Sequence, residues 1–295
     1  MIEQNLDQLI KQSSHFITDL EEIMDIILSA DQVFLYDTGS IASHERIYHS
    51  QDKNLLSYFK KAQDPIILTD TIVKELKLTE RNLSYLSQFT NVLYLHEKDF
   101  LNLIKIEIES RQATGKYVNA SIGAFSDLIP LKQAIQELEH DPNSKMEHDV
   151  YEQFEMFFER ISNKNKGEIS LLWCSLIIGI FSPKTPINFV SRDSDLYTFV
   201  SRCYMADPYV VTNKPKRFIS LSSNETLLQS LYALQALSNE EFWEYLTLYR
   251  DEPHRGVIYF EIRNGLKIQS RVQKRSFSND ELRDRFIHKD IEIVY

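Results

Sequence analysis

Five carboxylates stand where apolar runs end or helical stretches begin. Asp37 follows Val33-Phe34-Leu35-Tyr36 and opens Asp37-Thr38-Gly39-Ser40. Glu75 lies in Thr69-Asp70-Thr71-Ile72-Val73-Lys74-Glu75-Leu76, after the short run Ile66-Ile67-Leu68. Glu168 heads Gly167-Glu168-Ile169-Ser170-Leu171, and Asp193 and Asp195 sit in Val190-Ser191-Arg192-Asp193-Ser194-Asp195-Leu196. Carboxylates brought within a few ångströms repel one another unless cations neutralise them. All-oxygen donors suit Mg²⁺ or Mn²⁺. Such ions bind and polarise a phosphodiester and lower the pKa of an attacking water. Each acid also has a structural use: Asp37 in a turn or cap, Glu75 on a solvated helix face. Glu168 would complement a helix dipole, and Asp193 would cap the next helix.

The elements that must position these acids follow from hydrophobic rhythm. Phe16, Ile17, Leu20, Ile23, Met24, Ile27 and Leu28 recur at helical spacing, so the reading is an amphipathic helix ended by Asp31. Continuous apolar runs predict buried strands at 33–36, 66–68 and 92–95; further strands are expected at 187–190, between Pro186 and Asp193, and at 218–221, with 209–211 competing for the last role. Helices are expected at 55–61, 73–78 and 82–89. Residues 98–144 read as helical with interruptions at Gly115 and Gly123. A further helix at 148–161 carries Val150, Phe154, Phe157, Phe158 and Ile161 on one face. Gly167 separates it from a buried helix beginning at Glu168. The apolar run 169–181 is shorter than the ~20 residues that a membrane helix needs. Strands alternating with helices predict a parallel α/β sheet, whose strands' carboxyl ends line one ligand crevice. Acids distant in sequence can meet there.

The tail has a different pattern. Asn264-Gly265 within 257–272 is a strong hairpin signal. A two-residue turn would put Tyr259, Leu266 and Ile268 on one face, and Ile258, Phe260, Ile262, Lys267 and Arg271 on the other. Neither face is purely apolar.

The order of acids resembles the PIN-domain nucleases. That family has an Asp at the end of its first strand and a Glu in the helix after its second. A third acid begins a helix, in some branches as Gly-Glu followed by apolar residues, like Gly167-Glu168-Ile169. The fourth lies in a segment similar to Val190-Ser191-Arg192-Asp193-Ser194-Asp195-Leu196, which is the most specific match; Glu75 is the least. The resemblance spans about residues 31–221 and implies an α/β, PIN-like three-layer fold with a central parallel sheet. It implies a nuclease domain over 1–223, with a helical insertion at about 97–149 that is longer than in compact family members. Residues 224–295 would form a helical appendage with a β-hairpin.

The function it implies is hydrolysis of phosphodiesters, RNA more than DNA, by metal-activated water without a covalent intermediate. Asp37, Glu75, Glu168 and Asp193 would be catalytic and would ligate Mg²⁺ or Mn²⁺, with Asp195 as a further ligand. Thr38, Ser40, Ser191, Arg192, Lys267 and Arg271 are the candidate substrate contacts. The alternative is a catalytically silent PIN-like scaffold that binds protein or nucleic acid, with the helical insertion as the face for a protein partner.

Charge and composition narrow the classes. The net charge is −10, which by itself speaks against a nucleic-acid binder driven by bulk positive charge. Residues 1–200 hold 30 acidic and 19 basic side chains, and residues 201–295 hold 13 and 14. Within 253–275, Arg255, Arg263, Lys267, Arg271, Lys274 and Arg275 face a single acid, Glu261. Together with Lys214, Lys216 and Arg217 they could track phosphates, or simply form a solvated face. Tyr197, Tyr204 and Phe218 could stack on bases, though core packing serves each equally well.

Two cysteines without a C-x-x-C pair, and an acidic amino terminus, predict a cytoplasmic protein with no membrane partner. Asp37-Thr38-Gly39 matches one half of a pepsin-like site, but no second Asp-Thr/Ser-Gly exists to share its proton. His44-Glu45 with His49 is one residue too long for a zincin helix, and no phosphate-binding glycine loop is present.

Overall fold

The apolar runs become strands because they can be buried on both faces at once. In the computed structural model the described residues are Ile10, 13–124, Glu137, 165–206, 219–250, 256–268 and 271–295. Every residue of β2 (Val33–Tyr36), β3 (Ile66–Thr69) and β4 (Val92–Leu95) is buried. With β1 (Phe16–Ile17), β5 (Ile187–Val190) and β6 (Ile219–Ser222) they form an all-parallel six-stranded sheet flanked by helices, in the order β1-β4-β3-β2-β5-β6. Register is set by pairs such as Phe34↔Ile66 and Ile66↔Val92. The chain is an α/β protein.

The chain divides into two compact units. The first comprises Met1–Thr38, Ala62–Phe189 and Asp195–Ser220; the second comprises Gly39–Lys61, Val190–Ser194 and Leu221–Tyr295.

Helices α1 (Leu20–Ser29), α2 (Thr38–Gln51), α3 (Asp70–Leu76) and α4 (Glu80–Leu86) follow in the first half of the chain. After β4 come α5 (Phe100–Glu107) and α6 (Ser110–Ala124), and later α7 (Lys166–Phe181) and α8 (Ser194–Ala206). Helix α7 is apolar nearly all round and buried from Gly167 to Gly179. It packs on α3, α5, α6, β2 and β3, which is how a helix with no polar face is accommodated. Trp173 anchors it, with the rings of Phe100 and Tyr117 at 4.8 and 5.2 Å.

Several boundaries differ from the sequence expectation. Phe16 and Ile17 form an edge strand on β4 and not the start of a helix. The helix begins at Leu20 because the Asp19 carboxylate accepts the Glu22 N–H at 3.0 Å. Gly115 and Gly123 lie inside α6, and the break falls instead at Ile108 and Glu109. Gly167 is within α7, whose first residue is Lys166 after Asn165 at φ 67°. Only Leu55–Tyr58 of 55–61 is helical, as a 3₁₀ turn. The expected helix at 148–161 and strand at 209–211 lie outside the described residues, as do most of 125–149, Lys214, Lys216, Arg217, Phe218 and Arg255.

The second unit adds α9 (Asn224–Ala233), α10 (Asn239–Tyr249), β7 (Gly256–Arg263), β8 (Leu266–Lys267), β9 (Gln273–Ser276), α11 (Asn279–His288) and β10 (Ile291–Ile293). Strand β7 is central to an antiparallel sheet, paired with β10, β8 and β9. Asn264 and Gly265 turn the hairpin with φ 52° and 75°, the left-handed pair that a two-residue turn of this hand requires. Val257, Ile258 and Tyr259 are buried, whereas Leu266 and Ile268 are exposed. Leu228, Leu246, Tyr249, Val257, Phe277 and Leu282 belong to this unit's own hydrophobic core.

Candidate acidic site at the carboxyl ends of the strands

After β2 the chain builds β3 and β4 on one side of it and returns to place β5 on the other. Such a reversal leaves a crevice outside the carboxyl ends of the two strands that flank it. Asp37 directly follows β2 and is buried. Thr38, the next residue, starts α2.

Glu75 on α3 joins two distant segments. Its Oε2 accepts the Thr38 hydroxyl at 3.1 Å, and its Oε1 accepts the Gly167 N–H at 3.1 Å. Thr38 adjoins Asp37 and Gly167 adjoins Glu168, which is buried in the first turn of α7. One carboxylate therefore holds together the chain neighbours of the other two. The approach depends on glycine: a Cβ at position 167 would stand 2.6 Å from Glu75 Oε2 and 3.1 Å from Ile72 Cδ1. Much of the Glu75 side chain is exposed, but its carboxyl end is tucked against these partners. Burial of that end raises its pKa above the usual carboxylate value, opposed by the Thr38 and Gly167 hydrogen bonds and by the Lys166 charge.

A second carboxylate stands behind these. Glu97, after β4, is buried and its Oε1 accepts the Ser170 hydroxyl at 2.6 Å. Ser170 Oγ also lies 2.6 Å from Thr69 Oγ1, which caps α3 by accepting the Ile72 N–H. The Glu97 N–H donates to Asp70 Oδ1 at 3.0 Å, and Glu97 Oε1 also accepts the Thr71 N–H at 3.4 Å.

Asp195 lies half-buried in the first turn of α8, in the first unit. Ser191, Arg192 and Asp193 belong to the second unit. There the Asp193 N–H donates to the buried Ser191 Oγ at 2.9 Å, and the Asp193 carbonyl accepts the Tyr295 hydroxyl at 2.6 Å. The Asp193 side chain is exposed. Ser40 is fully buried, and its Oγ has no hydrogen-bond partner among the described residues. Lys267 pairs with Glu292 at 2.8 Å and lies 4.4 Å from the Phe260 ring centroid, while Arg271 is exposed.

No family model, curated protein or solved structure matches this chain.

The donors fit a hard divalent cation in kind, being carboxylate oxygens with hydroxyl and amide supports. Among the described residues no group of three His, Cys, Asp or Glu side chains that could hold a metal ion is present. Nor, among these residues, is any helix long and apolar enough to cross a membrane.

The sequence reading singled out Asp37, Glu75 and Glu168 but missed Glu97 and Ser170. The signal was Ser170 itself, a hydroxyl inside an apolar helix that burial would oblige to find a partner.

Proposed function

We propose that this protein is a metal-dependent nuclease of PIN-like three-layer fold, hydrolysing phosphodiester bonds of RNA more than of DNA. The observation that carries the reading is the Glu75 clamp, which ties the segments bearing Asp37 and Glu168 to a third acid. Asp37, Glu75 and Glu168 would hold Mg²⁺ or Mn²⁺; Asp193 and Asp195 enter through the ordered sequence pattern alone. The ion would polarise the phosphodiester and lower the pKa of the attacking water. Thr38 and Gly167 orient Glu75, and burial keeps Asp37 and Glu168 from turning freely into solvent. The cation would relieve the mutual repulsion of the carboxylates that hold it.

The test is cleavage of single-stranded RNA by the purified chain with Mn²⁺. Asp37→Asn should lower the rate at least about a hundredfold, the scale of losing a group that stabilises transition-state charge. An unchanged rate in Asp37→Asn, or no cleavage by the wild type, overturns the reading.

A second reading is a catalytically silent scaffold of the same fold. The absence of a gathered metal group among the described residues favours it. Calorimetric titration with Mn²⁺ separates the two, since the scaffold takes up no ion that Asp37→Asn abolishes.

A further inference from the structure

We infer that Ser170 and Glu97 are positioning residues that hold the helices bearing Glu75 and Glu168 in register; this inference rests on the reading of those acids as a metal site. Ser170 is fully buried on α7, two residues beyond Glu168. Glu97 as a carboxylate only accepts, so Ser170 must donate its one hydroxyl hydrogen there. Thr69 must then donate to Ser170, leaving its own oxygen to accept the Ile72 N–H of α3. The hydrogen bonds run one way, from the α3 backbone through Thr69 and Ser170 to Glu97.

Glu97 is itself anchored. The segments after β3 and β4 exchange a bond in each direction, the Glu97 N–H to Asp70 and the Thr71 N–H to Glu97. Rotation or sliding of α7 against α3 would leave a buried carboxylate short of a donor, which is costly. Because α3 carries Glu75 and α7 carries Glu168, the same lock sets the separation of the two acids.

A buried serine in α7 can also spend its one hydroxyl hydrogen within the helix. Ser175, five residues on and equally buried, donates to the Leu172 carbonyl of its own helix at 2.6 Å. Ser170 instead reaches out of its helix to two other segments. That contrast marks the link as positional.

The test compares full-length Ser170→Ala with Ser175→Ala by two measurements: calorimetric Mn²⁺ affinity, and hydrogen exchange of the Gly167 amide in metal-free protein. Ser170→Ala should weaken Mn²⁺ binding about tenfold, as loss of a supporting partner does at metal sites, and speed Gly167 exchange. Ser175→Ala should change neither by more than about twofold, the hydroxyl hydrogen of Ser175 being spent within its own helix. Glu97→Gln keeps the shape and guards against a Ser170→Ala that fails to fold; it should weaken Mn²⁺ binding about threefold, a charge-assisted bond becoming a neutral one. If Ser170→Ala and Glu97→Gln both bind Mn²⁺ like the wild type, the inference is overturned and the nuclease reading survives. If the wild type binds no Mn²⁺, the nuclease reading fails, and Gly167 exchange alone decides: an unchanged rate in Ser170→Ala overturns the positioning role as well.

Discussion

The two units bury polar groups in opposite ways. In the second unit charges are matched: Arg250 Nε donates to Glu225 at 3.0 Å with both side chains buried, and its Nη1 donates to the Phe277 carbonyl and Asn279. His44 Nε2 lies 2.7 Å from Asn224 Oδ1, and the Asn224 amide donates to the Tyr249 carbonyl. In the first unit, Glu75 and Glu97 accept bonds from hydroxyls and backbone amides, donors that orient an acid without neutralising it. A matched set serves folding. Under the nuclease reading proposed above, acids oriented by neutral donors are the ones that a cation would meet.

Breaking the matched pair should produce the largest effect on stability. Arg250→Ala leaves Glu225 charged and buried, at a cost of about 3–5 kcal/mol. Each unit holds one of the two tryptophans, Trp173 in the first and Trp243 in the second, so denaturation of single-tryptophan variants reads them separately. The Trp243 transition should move far more than the Trp173 transition; no movement of either would break the contrast.

His44 sharpens it next. Burial, its largest influence, and the Arg192 charge lower its pKa to about 4, against the raising effect of the Asn224 bond. A depressed histidine pKa means that the unfolded chain takes up the proton first. Stability from neutral His44 is therefore complete above pH 6.5 and is lost as pH falls toward 4, in total about 3 kcal/mol. The Trp243 transition should weaken across that window, and His44→Gln should flatten the dependence. A wild-type transition flat from pH 7 to 4.5 would remove His44 from this role.

Gly167→Ala should show the smallest stability change, within about 1 kcal/mol, because alanine favours the helix and Glu75 can swing away. Mn²⁺ affinity should nevertheless fall at least about tenfold, since the swing breaks the clamp. Equal loss of stability and affinity would make Gly167 a packing residue only.

Legibility in the sequence followed burial. The runs 33–36 and 92–95 have the strand bounds observed, because strands covered on both faces are written as unbroken apolar stretches, and 187–190 keeps its bounds despite Asn188. Phe16-Ile17 misled because two residues of an edge strand fit the helical rhythm that follows them; the Asp19 cap was the corrective signal. The order of Asp37, Glu75 and Glu168 could be read because each sits at a fixed place relative to an element. The Glu97–Ser170–Thr69 link could not, since it joins three residues 28 to 101 positions apart and no local pattern encodes which hydroxyl meets which acid.

Tyr295 gives the second unit a hand on the most specific acid motif. Its backbone exchanges hydrogen bonds with Ile258 of β7 while its phenol grips the Asp193 carbonyl. The small antiparallel sheet and the Ser191–Asp193 segment are thereby geared together through one side chain. Loss of the Tyr295 phenol would therefore remove a hydrogen bond that spans 102 positions of the chain.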